Sequence, residues 1–376
     1  MISTRLHGAI DLAVGSLLGT LAAGSRLSRP VRRVLGTASA IHLGYAPLTD
    51  YEAGVTPVLT MRQHLALDTA GGLALCLAAL TMRREPAGSR LVLLAAGLGE
   101  LAVIAASSTA PESGPGQDGG PAARMFGGPG LSPAEAGYPP LDTPKEVADG
   151  VFVVDSVMTM PPGVLLPLRM TVVRLPDGSV LLHSPTRFDF ALRDRIEAIG
   201  PIRHLVAPNV GHWMFVQDWQ RHVPGVVTWA APGLRERKPV QRSGVRLDHD
   251  LGEEAPEAWG GAIETVVVPG GAGFSEVAMF HAASRTLVLT DLVLNLEPRK
   301  LPLALRPVVR LFGSVPPDGM PPPYLRFVVR MRRDAARAAA ERLLALAPER
   351  VVFAHGPWFE RDGAASLRRS LRWLLG

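Results

Sequence analysis

The chain has 376 residues, too many for one average core, so two domains are the starting expectation. Its formal charge of +5 is carried by arginine (only Lys145, Lys238 and Lys300 are lysines), without the interleaved aromatics of a base-stacking surface, which argues against a nucleic-acid partner. A single cysteine, Cys76, excludes an intrachain disulfide and a cysteine-based zinc site.

Four apolar stretches come first in chain order, Gly8–Gly24, Val34–Leu48, Leu65–Met82 and Leu91–Ala106. Each is near the length that crosses a hydrocarbon core at about 1.5 Å per residue, although the second is short. The first alone would also fit a secretory signal peptide, with "LAAGS" as a cleavage site. Three further stretches close behind it favour a four-helix transmembrane domain over residues 1–107. The connections "SRLSRPVRR" and "MRREPAGSR" are arginine-rich, whereas "APLTDYEAGVTPVLTMRQ" is acidic. The positive-inside tendency puts the two arginine-rich loops in the cytoplasm of a bacterial plasma membrane. Both ends of the helical domain, and the soluble domain after it, are then expected on the extracytoplasmic side.

"RLHGAID" opens the first stretch and "RQHLALD" the third, at a period of 57 residues. Two helices separated by one crossing enter from the same face, so the pairs His7–Asp11 and His64–Asp68 are expected at equal depth. Within each helix the histidine and the acid are four residues apart, stacked on one face. Asp50 and Tyr51 belong to the same side, and His42 and Glu100 lie deeper. Ionisable groups at such depth normally face the bundle interior and one another. One reading is an inward-facing proton, ion or small-ligand site built from His7, Asp11, His64 and Asp68; the other is a pair of polar locks near the interface. The duplicated two-helix unit resembles the membrane repeats of bacterial SPW-type proteins, although the Ser-Pro-Trp triplet is absent.

Residues 108–145 are rich in glycine and proline without periodicity and read as a flexible linker. Beyond it the texture changes to short β-rich runs alternating with helices. "GVFVVDSV", "RMTVVRL", "GSVLLHS", "IRHLVAPN", "GVVTWAA", "IETVVVP", "SEVAMFHA", "TLVLTDLVL" and "RVVFAHG" read as extended. "DFALRDRIEAIG", "HWMFVQDWQRHV", "DAARAAAERLLALAP" and "GAASLRRSLRWLL" read as helical. The alternation predicts a layered α/β domain over residues 146–376. The apolar, arginine-punctuated stretch Leu301–Gly313 is expected to cover the core or line a pocket mouth, with an interfacial membrane helix as the alternative.

Four motifs, "MTVVRLPDGSVLLHSP", "IRHLVAPNVGHWMF", "FHAASRTLVLTDLVLNL" and "VVFAHG", make residues 146–376 resemble the uncharacterised DUF4336 family, a divergent metallo-β-lactamase-like domain. The resemblance implies an αββα sandwich with a metal pocket built from histidines and carboxylates. It assigns His212, Asp291 and His355 as metal ligands. It places His183, Asn209 and Glu276 where further ligands or supporting groups belong. The usual two-metal set is incomplete. One divalent ion, zinc, iron or manganese, with an open position is what the remaining ligands suffice for. Three functions follow as alternatives. They are a membrane-anchored metal-dependent hydrolase, a non-catalytic binding or sensory module for a small molecule, and small-solute or proton transport by the helical domain.

Overall fold

The computed structural model describes residues 2, 4–24, 27–46, 49, 59–107, 131–160, 164–302 and 305–376. Asp50, Tyr51 and most of the expected linker lie outside the described residues. The chain divides into two compact units, Met1–Pro121 and Ala122–Gly376.

Among the described residues the first unit holds four helices, α1 (Thr4–Ala23), α2 (Arg29–Tyr45), α3 (Met61–Thr81) and α4 (Ala87–Ala106). Local chemistry sets their starts. Ser28 caps α2 by accepting from the Val31 N–H, and Thr60 with Gln63 forms a capping box on α3. Small residues let the helices approach in pairs. A Cβ on Gly15 would meet Leu43 at 2.7 Å, and one on Gly97 would meet the Gly72 carbonyl at 2.5 Å. Ser39 Oγ also donates to the Gly15 carbonyl across α1 and α2 at 2.7 Å. Arg32 donates to Ala22 O at 2.7 Å, and Arg90 to Ala79 O at 2.8 Å, closing each hairpin in the same way.

Burial in this unit is inside out. Leu73, Leu77, Leu80, Leu91 and Leu98 are exposed, while His7, Asp11, His42, His64, Asp68 and Glu100 are buried. Water would not leave apolar faces outside and charge inside, but lipid would. Among the described residues three helices are long and apolar enough to cross a membrane, over Leu6–Ala23, Gln63–Thr81 and Ala87–Ala106, which suggests membrane association. The expected fourth span is not among them. Helix α2 has 17 residues and begins with Arg29, Arg32 and Arg33, whose charge offsets its apolar part.

The second unit starts earlier than residue 146. A short helix α5 (Pro133–Ala136) and strand β1 (Pro144–Ala148) precede that boundary. Ser132 and Glu135 form a capping box on α5, Tyr138 donates to Glu297 at 2.7 Å, and Lys145 pairs with Asp155 at 2.5 Å. Specific polar ties thus order a stretch whose composition alone reads as linker. The strands β2 (Val151–Met160), β3 (Val164–Arg174), β4 (Val180–His183), β5 (Ile202–Ala207), β6 (Val227–Ala230) and β7 (His249–Asp250) continue from β1 in spatial order as one sheet. It is antiparallel from β1 to β4 and parallel from β4 to β7. The second sheet has the order β11 (Arg350–Val352), β10 (Thr286–Val288), β9 (Ser275–His281), β8 (Ile263–Pro269), with only β10 and β11 parallel.

Alternation along the strands sorts side chains into layers. Val173, Leu181 and Val206 of the first sheet share one buried cluster with Val277, Met279 and Val288 of the second. The opposite face of the first sheet (Val172, Leu182, Leu205) packs on α6 (Phe190–Glu197), α7 (Val216–His222) and α8 (Lys238–Ser243), with Trp219 fully buried. The far face of the second sheet (Val266, Phe280, Val351) packs on α10 (Pro323–Arg330), α11 (Arg333–Ala345) and α12 (Gly363–Ser370). The layers run helix, sheet, sheet, helix. Helix α9 (Leu305–Phe312) turns Val309 and Phe312 inward, and with Leu301 it covers the core. The closing helix breaks at Leu371 into α12 and α13 (Arg372–Leu375).

Candidate functional site

Strands β4 and β5 are parallel, as are β10 and β11, and the residues that follow the four carboxyl ends meet. His183 ends β4 and Ser184 follows it; Asn209 and His212 follow β5, Asp291 follows β10, and His355 follows β11. The sheets are stitched together beside this point, where Val277 N donates to Pro208 O at 2.9 Å and Asn209 forms an isolated bridge with Glu276.

His212, Asp291 and His355 converge, with one ligand atom from each lying within 4.8 Å of the others. His212 Nε2 is 3.3 Å and His355 Nε2 3.5 Å from the same oxygen, Asp291 Oδ1. The remote nitrogens are tied back. His355 Nδ1 donates to the Pro167 carbonyl at 2.8 Å, and His212 Nδ1 meets Ser184 Oγ at 2.6 Å. A carbonyl can only accept, so His355 Nδ1 carries a proton and Nε2 is the nitrogen turned toward the site. Metal-binding histidines are characteristically anchored in this way.

The other three residues singled out from the sequence stand outside that trio, and two of them, Asn209 and Glu276, are already committed. Asn209 Nδ2 reaches Asp291 Oδ2 (2.8 Å), Thr290 Oγ1 (2.9 Å) and Glu276 Oε2 (3.3 Å), and its Oδ1 accepts from Gly211 and His212 N–H. That side-chain cap holds residues 209–212 as a turn, so the expected helix from His212 begins only at Val216. Glu276, fully buried, accepts the main-chain N–H groups of Thr290, Asp291 and Leu292. It shapes the loop carrying Asp291 and has no oxygen to spare for an ion. His183 is buried one residue before Ser184.

Charge is distributed unevenly among these groups. Burial by itself pushes the Asp291 carboxyl up, but the facing His212 and His355 imidazoles outweigh it and hold Asp291 well below the usual carboxylate range. Burial pulls His212 down, while Asp291 and then Glu276 raise it above its ordinary value on balance. Glu276 is raised, by burial first and by the Asp291 charge second. Burial lowers His183 to about 3, so it is a neutral imidazole.

Sequence reasoning passed over Arg169, Ser184 and Pro167. Arg169 on β3 is buried, pairs with Asp155 at 2.6 Å, and donates to Phe353 O at 2.9 Å and Gly356 O at 2.7 Å, clamping the loop that bears His355. Ser184 adopts a φ of 55°, a left-handed conformation uncommon outside glycine, which aims its hydroxyl at His212. With only 2% of its surface exposed, it is placed to hold His212 and not to attack a substrate.

Residues 148–313 match the family described as "Domain of unknown function (DUF4336)". That is the family this chain resembles. Among solved structures, the second unit is similar to a metallo-β-lactamase from Pontibacter korlensis, with a TM-score of 0.44 and 17% identity over 61% of this chain and 97% of that one. It is also similar to the FIM-1 metallo-β-lactamase from Pseudomonas aeruginosa in its mono-zinc form (0.43, 16%, covering 61% and 94%). A third likeness is to a metallo-β-lactamase from Hirschia baltica (0.42, 15%, covering 61% and 96%). No curated protein matches the chain.

Proposed function

We propose that the second unit is a mononuclear metal-dependent hydrolase of metallo-β-lactamase-like fold, held at a membrane by the helical unit. One observation carries the reading: His212 Nε2, His355 Nε2 and Asp291 Oδ1 face one point while both Nδ1 atoms are tied to the scaffold. The donor set fits a divalent ion. Two imidazoles and a carboxylate bind zinc, iron or manganese and leave a coordination position open. Such an ion, when bound, supplies Lewis acidity toward a carbonyl or phosphoryl oxygen.

The chain's own groups prepare that position. Ser184 and Pro167 orient the two rings, and Asn209 occupies Asp291 Oδ2 and so turns Oδ1 toward the imidazoles. Asp291 keeps 21% of its side chain exposed, the most open side of the trio and the approach for a small-molecule substrate. With Asn209 and Glu276 engaged, the described residues of this site support one ion and not two.

Metal analysis of the full chain purified in detergent tests the reading. Loss of one equivalent of zinc, iron or manganese on Asp291→Ala is the expected result; a content that Asp291→Ala leaves unchanged contradicts it. A binding or sensory module is the second reading, favoured by the Asn209–Glu276–Asp291 network, whose polar atoms satisfy one another. It predicts ligand binding without stoichiometric metal.

A further inference from the structure

The helical unit gathers its own set of imidazoles and carboxylates, independent of the site above. His7, Asp11, His64 and Asp68 are 1%, 3%, 0% and 2% exposed, and a ligand atom from each lies within 4.8 Å of all the others. Each histidine Nε2 faces both aspartates. His7 Nε2 is 3.3 Å from Asp11 Oδ1 and 2.9 Å from Asp68 Oδ2, and His64 Nε2 is 2.8 Å from Asp11 Oδ2 and 3.1 Å from Asp68 Oδ2. One N–H can point at one acceptor. Two nitrogens that each see both acids describe a shared centre.

The outer nitrogens fix the tautomers. His7 Nδ1 meets Ser107 Oγ at 2.7 Å, and Ser107 Oγ donates its only proton to Val103 O at 2.6 Å. His64 Nδ1 meets Thr49 Oγ1 at 2.7 Å, and Thr49 Oγ1 donates to Tyr45 O at 3.1 Å. Each hydroxyl must therefore accept from its imidazole, so Nδ1 is the protonated nitrogen in both rings. A neutral ring then aims the Nε2 lone pair at carboxylate oxygens. A cation among the four groups turns that repulsion into ligation.

The arrangement has internal two-fold character. The α1–α2 hairpin recurs as α3–α4, and each half supplies the hydroxyl that anchors the other half's histidine: Thr49 serves His64, and Ser107 serves His7. The remaining pair closes the ring, His42 Nδ1 lying 3.1 Å from Glu100 Oε1 and His42 Nε2 3.5 Å from Asp11 Oδ1. Glu100 is buried, and its Oε2 has no hydrogen-bond partner among the described residues. It lines a small internal cavity with His7, Asp11, His42 and Asp68. Tyr45 donates to the other oxygen of Asp68. Three buried carboxylates call for compensating positive charge, which either protonated His7, His42 and His64 or a bound metal cation supplies.

We propose that the helical unit holds one first-row divalent transition-metal ion on its internal pseudo-two-fold axis, ligated by Nε2 of His7 and His64 and by the carboxylates of Asp11 and Asp68. Two imidazoles and two carboxylates suit zinc, manganese or iron and disfavour calcium and magnesium, which take oxygen ligands.

The test uses the full chain in detergent and Zn²⁺ as probe, with bound metal measured after dialysis. The double variant Asp11→Asn/Asp68→Asn is expected to hold one equivalent less than the parent. Asp291→Ala reports the soluble site separately, so failure at one site is distinguishable from failure at the other. Equal zinc in parent and double variant overturns the proposal. Because the double variant removes buried groups and can misfold, a second measurement leaves the helical ligands intact. Co²⁺ added to full-chain His212→Ala/His355→Ala is expected to give the d–d absorption of a histidine–carboxylate site. No such absorption means that the cluster is a proton-bridged network, and the proposal fails.

Discussion

At the scale of single residues, anchoring decides which polar groups are available for chemistry. Asp291 and Glu276 are both carboxylates on the second sheet side of the site. Three main-chain N–H groups consume Glu276, whereas Asp291 keeps one oxygen toward two imidazoles. Ser184→Ala, which removes the tether on His212 Nδ1, is expected to weaken metal binding about tenfold to a hundredfold while leaving the fold intact, checked by zinc titration. His183 contributes one part of the pH dependence of stability. Its folded pKa of about 3 lies below the unfolded 6.5, so only the unfolded chain takes up its proton between those values. Stability is complete above about pH 6.5 and falls below it by up to about 1.4 kcal/mol per pH unit from this group. His183→Asn is expected to flatten that part of the profile in denaturant melts at pH 7 and pH 5; an unchanged slope would remove the assignment. The trio His212, Asp291 and His355 was legible in the sequence because each follows a strand in a recognisable motif. Ser184, Pro167 and Arg169 were not, because their roles arise from contacts far along the chain that no local pattern encodes.

At the scale of elements, the loop after β11 is the most constrained part of the site. Gly356 has a φ of 92°, and a Cβ there would collide with the main chain of Asn295. Gly356→Ala is therefore expected to cost well over about 1 kcal/mol and to displace His355, lowering metal content together with thermal stability. Arg169→Met strips the guanidinium from the Phe353 and Gly356 carbonyls and leaves Asp155 with Lys145 alone. Breaking such a buried pair costs about 3 kcal/mol or more. A melting temperature within error of the parent would contradict both assignments. Element types were mostly readable from periodicity, and the misses have physical causes. The start of α7 was misplaced because the Asn209 side chain captures the N–H groups of Gly211 and His212. The order in residues 131–145 was missed because it depends on Glu297 and Asp155, distant partners for Tyr138 and Lys145. In the helical unit the recurrence of His7 and Asp11 at His64 and Asp68 was visible. The correspondence of Thr49 with Ser107 was hidden, since the spacing grows by one residue between the odd and even helices.

At the scale of the whole molecule, two units with separate cores carry, among the described residues, one convergent histidine–carboxylate cluster each. The clusters of the second unit draw only on residues beyond 131, and that of the helical unit only on residues before 107. Residues 131–376 are accordingly expected to remain in solution without detergent, while the full chain sediments with membranes and is released by detergent but not by alkaline carbonate; release by carbonate would contradict a spanning helical unit. The most direct measurement is a crystal structure of the zinc-soaked protein with anomalous data at the zinc edge. The expected result is a peak about 2.0–2.2 Å from His212 Nε2, His355 Nε2 and an Asp291 oxygen. Well-ordered His212, Asp291 and His355 hydrogen-bonded to one another with no peak between them would contradict the metal site on which the proposed activity stands.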